Sequence, residues 1–194
     1  IVYVPENPTY PIVDEKLVKE VSDKAIILKH TIFEPYQLAS LFSKNKTKKI
    51  SSGIIPNQKK QSFLDKTFLW IRGNLFIPDA RVFWVKPSVA FLEKFIVENT
   101  IDTIVTSGPP HSLHLIGLEL KQKLNLKWFA DFRDPWTTIG YHKSLRLSRF
   151  AAKKHKALER QVLNTADTII VTSKTTKTEF EAIKSKQIYV ITNG

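Results

Sequence analysis

Two stretches decide the fold: Asp102-Thr103-Ile104-Val105-Thr106-Ser107-Gly108-Pro109-Pro110-His111-Ser112 and, a few turns of chain later, Lys127-Trp128-Phe129-Ala130-Asp131-Phe132-Arg133-Asp134-Pro135-Trp136. Each opens on a short β-branched or aromatic run and ends in a polar, turn-forming loop, as a strand does when it delivers its chain to the edge of a parallel sheet. Between them, His111 to Leu124 sets Leu113, Ile116, Leu120 and Leu124 at a period near 3.6, one face of a helix. Strand, helix, strand is the crossover unit of parallel sheets.

The same rhythm extends outward. Further strands are expected at Val2 to Val4, Ala25 to His30, Thr168 to Val171 and Ile188 to Ile191, and a helix over Ser88 to Glu98 with Val89, Leu92, Phe95 and Ile96 on one face. The expectation is therefore an α/β fold, a Rossmann-like doubly wound and mostly parallel sheet with helices on both faces. Residues 32–87 interrupt it, being long for a crossover and containing Lys44-Asn45-Lys46-Thr47-Lys48-Lys49, and read as a helical and basic insertion. The chain of 194 residues begins Ile1-Val2-Tyr3-Val4 and contains no methionine, so it reads as a piece of a longer protein. No run approaches the roughly 18 apolar residues of a spanning helix, and without cysteine there is neither a disulfide frame, nor a thiol nucleophile, nor a cysteine zinc site.

In open α/β sheets ligands bind outside the carboxyl ends of the strands, which points at both opening loops. In the first, Ser107, Gly108, His111 and Ser112 stand where a helix begins, and free N–H groups and the helix dipole there favour an anion; a plain loop with an N-cap serine fits equally. In the second, Asp131, Arg133, Asp134 and Trp136 combine carboxylates that accept hydrogen bonds from sugar hydroxyls with a flat indole face on which sugar rings stack. The alternative is a salt bridge from Arg133 that pins the loop, with Trp136 in the core. His111 and His114 have a spacing that metal sites use, but no third ligand is in view. The glycine fingerprints, Walker loop, nucleophile elbow and zinc-protease motif are all absent.

The formal net charge of +12 is concentrated in two segments, 36–72 and 142–160, which carry +7 and +6 on a body otherwise close to neutral. In the second, Arg146, Arg149, Lys153, Lys156 and Arg160 step by 3 or 4 and form one stripe of a helix expected from about Ser144 to Thr165. Leu147, Phe150, Ala151, Leu158 and Val162 are expected on the packed side. Such a stripe suits solvent, an anionic membrane or another phosphate-rich surface. Residues 63 to 85 interleave Phe63, Phe68, Trp70, Phe76, Phe83 and Trp84 with Lys66, Arg72 and Arg81, which fits core packing, a bilayer interface or single-stranded nucleic acid.

The two opening stretches, together with Leu158-Glu159-Arg160-Gln161-Val162-Leu163-Asn164-Thr165-Ala166-Asp167, Ile169-Ile170-Val171-Thr172-Ser173 and the terminal Ile191-Thr192-Asn193-Gly194, resemble the N-terminal domain of family 4 glycosyltransferases, especially bacterial surface-polysaccharide enzymes. The resemblance implies half of a GT-B fold. It implies a retaining transferase of hexosyltransferase type, with a nucleotide diphosphate sugar as donor, a saccharide or lipid-linked acceptor and no required metal or bound cofactor. Ser107, Gly108, His111, Ser112, Asp131, Arg133, Asp134 and Trp136 would line the acceptor side of the cleft, and Asn193 and Gly194 would lead to the protein's own C-terminal, donor-binding domain. No catalytic residue is assigned. The family's first strand, glycine-rich loop and paired-glutamate motif would lie outside residues 1–194, so this segment alone is expected to be inactive. Relatives of this kind are cytoplasmic, some peripheral on the inner face of the membrane. The alternative, a basic module binding nucleic acid or another polyanion, is disfavoured by the local placement of the charge.

Overall fold

The computed structural model describes residues 1–6, 8, 14–33, 63–184 and 187–193. The chain divides into two compact units, Ile1–Gln61 and Ser62–Gly194. In the first, strands β1 (Val2–Pro5) and β2 (Ile27–His30) run parallel, from Val2 opposite Ile27 to Pro5 opposite His30, with the short helix α1 (Glu15–Lys19) between them in sequence. Beyond the last pair, the Thr31 hydroxyl donates to Glu6 at 2.7 Å.

The second unit contains helices α2 (Phe63–Leu75) and α3 (Val82–Glu98), then β3 (Thr103–Gly108), α4 (Ser112–Lys123), β4 (Lys127–Phe132), a 3-10 turn at Gly140–Leu145, α5 (Arg149–Thr165), β5 (Thr168–Val171), α6 (Lys174–Glu181) and β6 (Ile188–Val190). Its four strands are parallel and lie in sequence order, β3-β4-β5-β6. This is the Rossmann-like α/β arrangement expected from the alternation.

Period-2 alternation assigns each strand residue to a face. Trp128, Ala130 and Phe132 of β4 and Ile169 and Val171 of β5 are fully buried. Against this face lie α4, which packs on β3 and β4, and α6, which packs on β5 and β6. Gly117 is what lets α4 come so near: a Cβ there would stand 2.6 Å from the Trp128 indole and 2.8 Å from the Thr106 methyl. Asp167, at the entry to β5, locks three elements together, accepting from Lys121 of α4 at 2.8 Å and from the Trp128 amide of β4 at 2.7 Å. Burial alone would raise its pKa, but the Lys121 hydrogen bond, the Trp128 amide and the positive charges of Lys121 and Lys184 outweigh it and hold the carboxyl below its usual range. The opposite face is more open, with Val105 64% and Tyr189 57% exposed.

Two boundaries differ from expectation. Helix α3 begins at Val82 rather than Ser88 and carries Pro87 inside it. A proline lacks one helical hydrogen bond, but Trp84, Val85, Ser88 and Val89 around it are buried, and that packing overrides the local preference. The basic helix begins at Arg149 rather than near Ser144, because Arg146 takes a left-handed φ of 51° and breaks the run. Arg146 is therefore off the helical stripe. The lysine-rich stretch 44–49 lies outside the described residues, while the aromatic segment after it divides: Trp84 is buried, Phe68, Trp70 and Phe83 are partly exposed.

Candidate functional site

The carboxyl ends of β3 and β4 stand in register, Ser107 opposite Asp131 and Gly108 opposite Phe132. Both polar side chains fall on the open face of the sheet. The Ser107 hydroxyl donates to Asp131 Oδ2 at 2.7 Å, and the Arg133 guanidinium lies 3.8 Å from the same oxygen. Asp131 Oδ1 is buried and has no hydrogen-bond partner. Arg133 ties together the ends of all four strands: its amide donates to the Gly108 carbonyl at 2.9 Å, its own carbonyl accepts from Thr172 Oγ1 at 3.0 Å, and its guanidinium donates to Asn193 Oδ1. Asp134 is part-exposed and makes no hydrogen bond or ion pair with the described residues. The salt bridge and the polar cluster, opposed alternatives in the sequence, are both present.

Behind this edge lies an aromatic box. The His111 ring stacks on Trp136 with centroids 5.0 Å apart and planes 1° from parallel, and His114 stacks on Phe132 at 4.2 Å. Trp136 is 1% exposed and its indole donates to His155 Nδ1 at 3.2 Å, so the stacking surface expected of it is spent inside the protein. His111 at 5% and Ser112 at 0% exposure are core residues too. Only Ser107, Asp131, Arg133 and Asp134 of the expected site remain at least part-exposed at the strand ends; Gly108 is buried.

Thr106 Oγ1 accepts from the Trp128 indole at 3.0 Å and is hydrogen-bonded to His114 Nδ1 at 2.9 Å, which accounts for every nitrogen of that ring but Nε2. That Nε2 is buried without a partner and faces Gly108, where a Cβ would come within 3.0 Å of it. A side chain at Gly108 would therefore crowd this ring and the Pro110 carbonyl. Neither nitrogen of His111 has a partner; burial first, then the nearby imidazoles of His142 and His155, push its pKa down to about 3. Burial likewise lowers His114. Both rings are neutral near pH 7. No group of three or more His, Asp or Glu side chains among the described residues is arranged to hold a metal.

The anion expected at the start of α4 is supplied from within. Asp79 accepts from the Ser112 amide and the Ser112 hydroxyl, each at 2.9 Å, and from the Arg81 amide at 2.9 Å. Sequence reasoning missed this residue. Pro78-Asp79 ahead of a helix is an Asx-turn signal, but its reach to Ser112 is tertiary. Also missed were His155 and Glu159 on the inner side of α5. His155 Nε2 donates to the Gly73 carbonyl at 3.2 Å, and Glu159 accepts from the Thr137 amide at 2.9 Å and the Thr137 hydroxyl at 2.6 Å. Burial raises the Glu159 pKa although Thr137 works against it. Through Trp136 and Thr137, α5 thus holds the loop that leaves Asp131 and Arg133.

The arrangement is a hydrogen-bonding edge of a Rossmann-like sheet, rigidly backed and without a metal cluster among the described residues. No curated protein sequence and no solved structure gives a significant match. The family description Glycosyltransferase Family 4 matches residues 54–194, well over half of the chain, and takes in every residue of this edge. The chain belongs to glycosyltransferase family 4.

Proposed function

We infer that this glycosyltransferase module is the acceptor-binding half of a retaining, nucleotide-sugar-dependent enzyme of surface-polysaccharide or glycolipid synthesis. One observation carries the reading: Asp131, holding the Ser107 hydroxyl and flanked by Arg133, stands part-exposed at the carboxyl ends of the strands. A part-exposed carboxylate at the strand ends is an acceptor that a substrate hydroxyl can donate to. Asp131 orients that hydroxyl. In the reaction the bond from the anomeric carbon to the donor diphosphate breaks, the acceptor oxygen bonds to that carbon on the same face, and its proton passes to the departing phosphate. The protein's part is positioning and charge stabilisation. The donor half of the cleft would belong to a partner domain of the same protein.

The test is transfer from nucleotide diphosphate sugars by the full-length gene product, with Asp131→Asn and Ser107→Ala against wild type. Asp131→Asn is expected to lower kcat/KM by roughly tenfold or more, since a charged hydrogen bond to the acceptor is replaced by a weaker one. Wild-type transfer by both variants would remove Asp131 from the acceptor site. Residues 1–194 alone are expected to transfer nothing.

A further inference from the structure

Arg133 is fixed at its root and divided at its tip. Its amide donates to the Gly108 carbonyl and its carbonyl accepts from Thr172 Oγ1, so the backbone from which the side chain springs is tied on both sides. At the far end the guanidinium stands between two oxygens. One terminal nitrogen donates to Asn193 Oδ1, while the other lies 3.8 Å from Asp131 Oδ2, within ion-pair range but beyond a hydrogen bond.

The chemistry of the pair favours a different arrangement. Arg133 is two positions from Asp131 along extended chain and leaves from the same side of it. A guanidinium beside a carboxylate makes two parallel N–H···O bonds of about 2.8 Å, which would take both carboxylate oxygens. That closure is not made here. Asp131 Oδ2 receives the Ser107 hydroxyl instead, and the carboxylate side chain stays 15% exposed. The competing oxygen comes from beyond β6. The Ile191 amide donates to the Val171 carbonyl at 2.9 Å, which carries the chain past the end of β5 and brings Asn193 to the carboxyl edge of the sheet. At an exposed edge water screens the attraction of the carboxylate, so its advantage over a well-placed amide oxygen is small, and one such oxygen is enough to divert the fork.

We propose that Asn193 is a positioning residue for transfer: by holding one arm of Arg133 it keeps the guanidinium beside Asp131 without letting it close, which leaves the carboxylate free to receive the acceptor hydroxyl. The inference rests on the reading of Asp131 as the residue that orients that hydroxyl. The family resemblance casts Asn193 only as a link toward a further domain; its contact with Arg133 gives it a second task, at the acceptor edge.

The test has a structural and a kinetic arm, both on the full-length gene product. Crystal structures of wild type and Asn193→Ala are compared at Arg133. In wild type the guanidinium is expected on Asn193 and short of Asp131; in Asn193→Ala it should close to about 3 Å from the Asp131 carboxylate. This arm needs no substrate. In the kinetic arm, radiolabelled UDP-glucose, UDP-galactose, UDP-N-acetylglucosamine and GDP-mannose are offered with a glycolipid extract of the source cells as acceptor. Asn193→Ala should raise the KM for that extract about fivefold, as much as an exposed ion pair is worth, with kcat and the donor KM unchanged. Asn193→Asp keeps an oxygen for the guanidinium and should return that KM to within about twofold of wild type. In an Arg133→Ala background Asn193→Ala should change nothing further, whereas an asparagine that serves only the fold would show the same cost in both backgrounds. An unmoved guanidinium in Asn193→Ala, a wild type in which Arg133 already closes on Asp131, or equal losses with and without Arg133 overturns the proposal. Impaired transfer in Asp131→Asn beside a wild-type KM in Asn193→Ala removes Asn193 alone, while wild-type transfer in Asp131→Asn removes the acceptor reading and this inference with it.

Discussion

Replacing His111 by phenylalanine separates what this residue does for the fold from what it does for a ligand. The ring is 5% exposed, stacked on Trp136, and neither nitrogen has a partner. Its pKa is about 3 in the folded chain, against an ordinary 6.5. Below pH 6.5 the unfolded chain therefore binds a proton that the folded chain refuses, so stability falls as pH drops from about 6.5 toward 3 and is level above about 7.5. At pH 5 this one residue costs about 2 kcal/mol relative to pH 8, with the lowered His114 and His155 adding in the same direction. His111→Phe keeps the stack and removes both the titration and two unpaired buried nitrogens. Urea unfolding followed by tryptophan fluorescence should find the variant at least as stable as wild type at pH 8, and about 2 kcal/mol less acid-sensitive between pH 8 and 5. An undiminished acid dependence, or a loss above about 2 kcal/mol at pH 8, would mean that the imidazole has a partner or carries charge in the fold, and the reasoning would fail.

Two further substitutions probe the scaffold. Gly117→Ala puts a methyl into the Trp128 ring at 2.6 Å and should destabilise by about 2 to 4 kcal/mol, read as a lowered thermal midpoint; an unchanged midpoint would show that α4 does not lie where it is described. Asp79→Ala removes the acceptor of three hydrogen bonds, two of them at the start of α4, and should cost about 2 to 4 kcal/mol, with Asp79→Asn recovering part. A loss below about 0.5 kcal/mol in Asp79→Ala would show the helix start capped by another group.

What the sequence made legible was what depends on local periodicity. The strands around Ile104, Phe129 and Ile170 and the helix bearing Ile116 and Leu120 followed from alternation and from the 3.6 period, and the strand-end rule led to Ser107 and Asp131. Register did not follow: that Ser107 faces Asp131 depends on how β3 pairs with β4, which no local pattern encodes. Nor did the side on which an aromatic residue is used. Trp136 reads alike as a platform for sugar or as core, and a histidine from a helix well down the chain decides it by accepting the indole proton.

Helix α5 shows why the hydrophobic pattern pointed the wrong way there. Apolar residues alone centre its packed face near Ala151, Leu158 and Val162, with Phe150 at the margin. In the fold that face is centred instead on His155 and Glu159, both buried, because Trp136, Gly73 and Thr137 satisfy their polar atoms and make burial tolerable. The shift rotates Phe150 into solvent and takes the only acid of the helix out of it. One set of inward hydrogen bonds thus accounts for two features of the outer surface, the uncompensated cations and the bare ring among them. If Glu159 were on the outer face, the row of cations would be partly neutralised and Phe150 would turn toward the packed side.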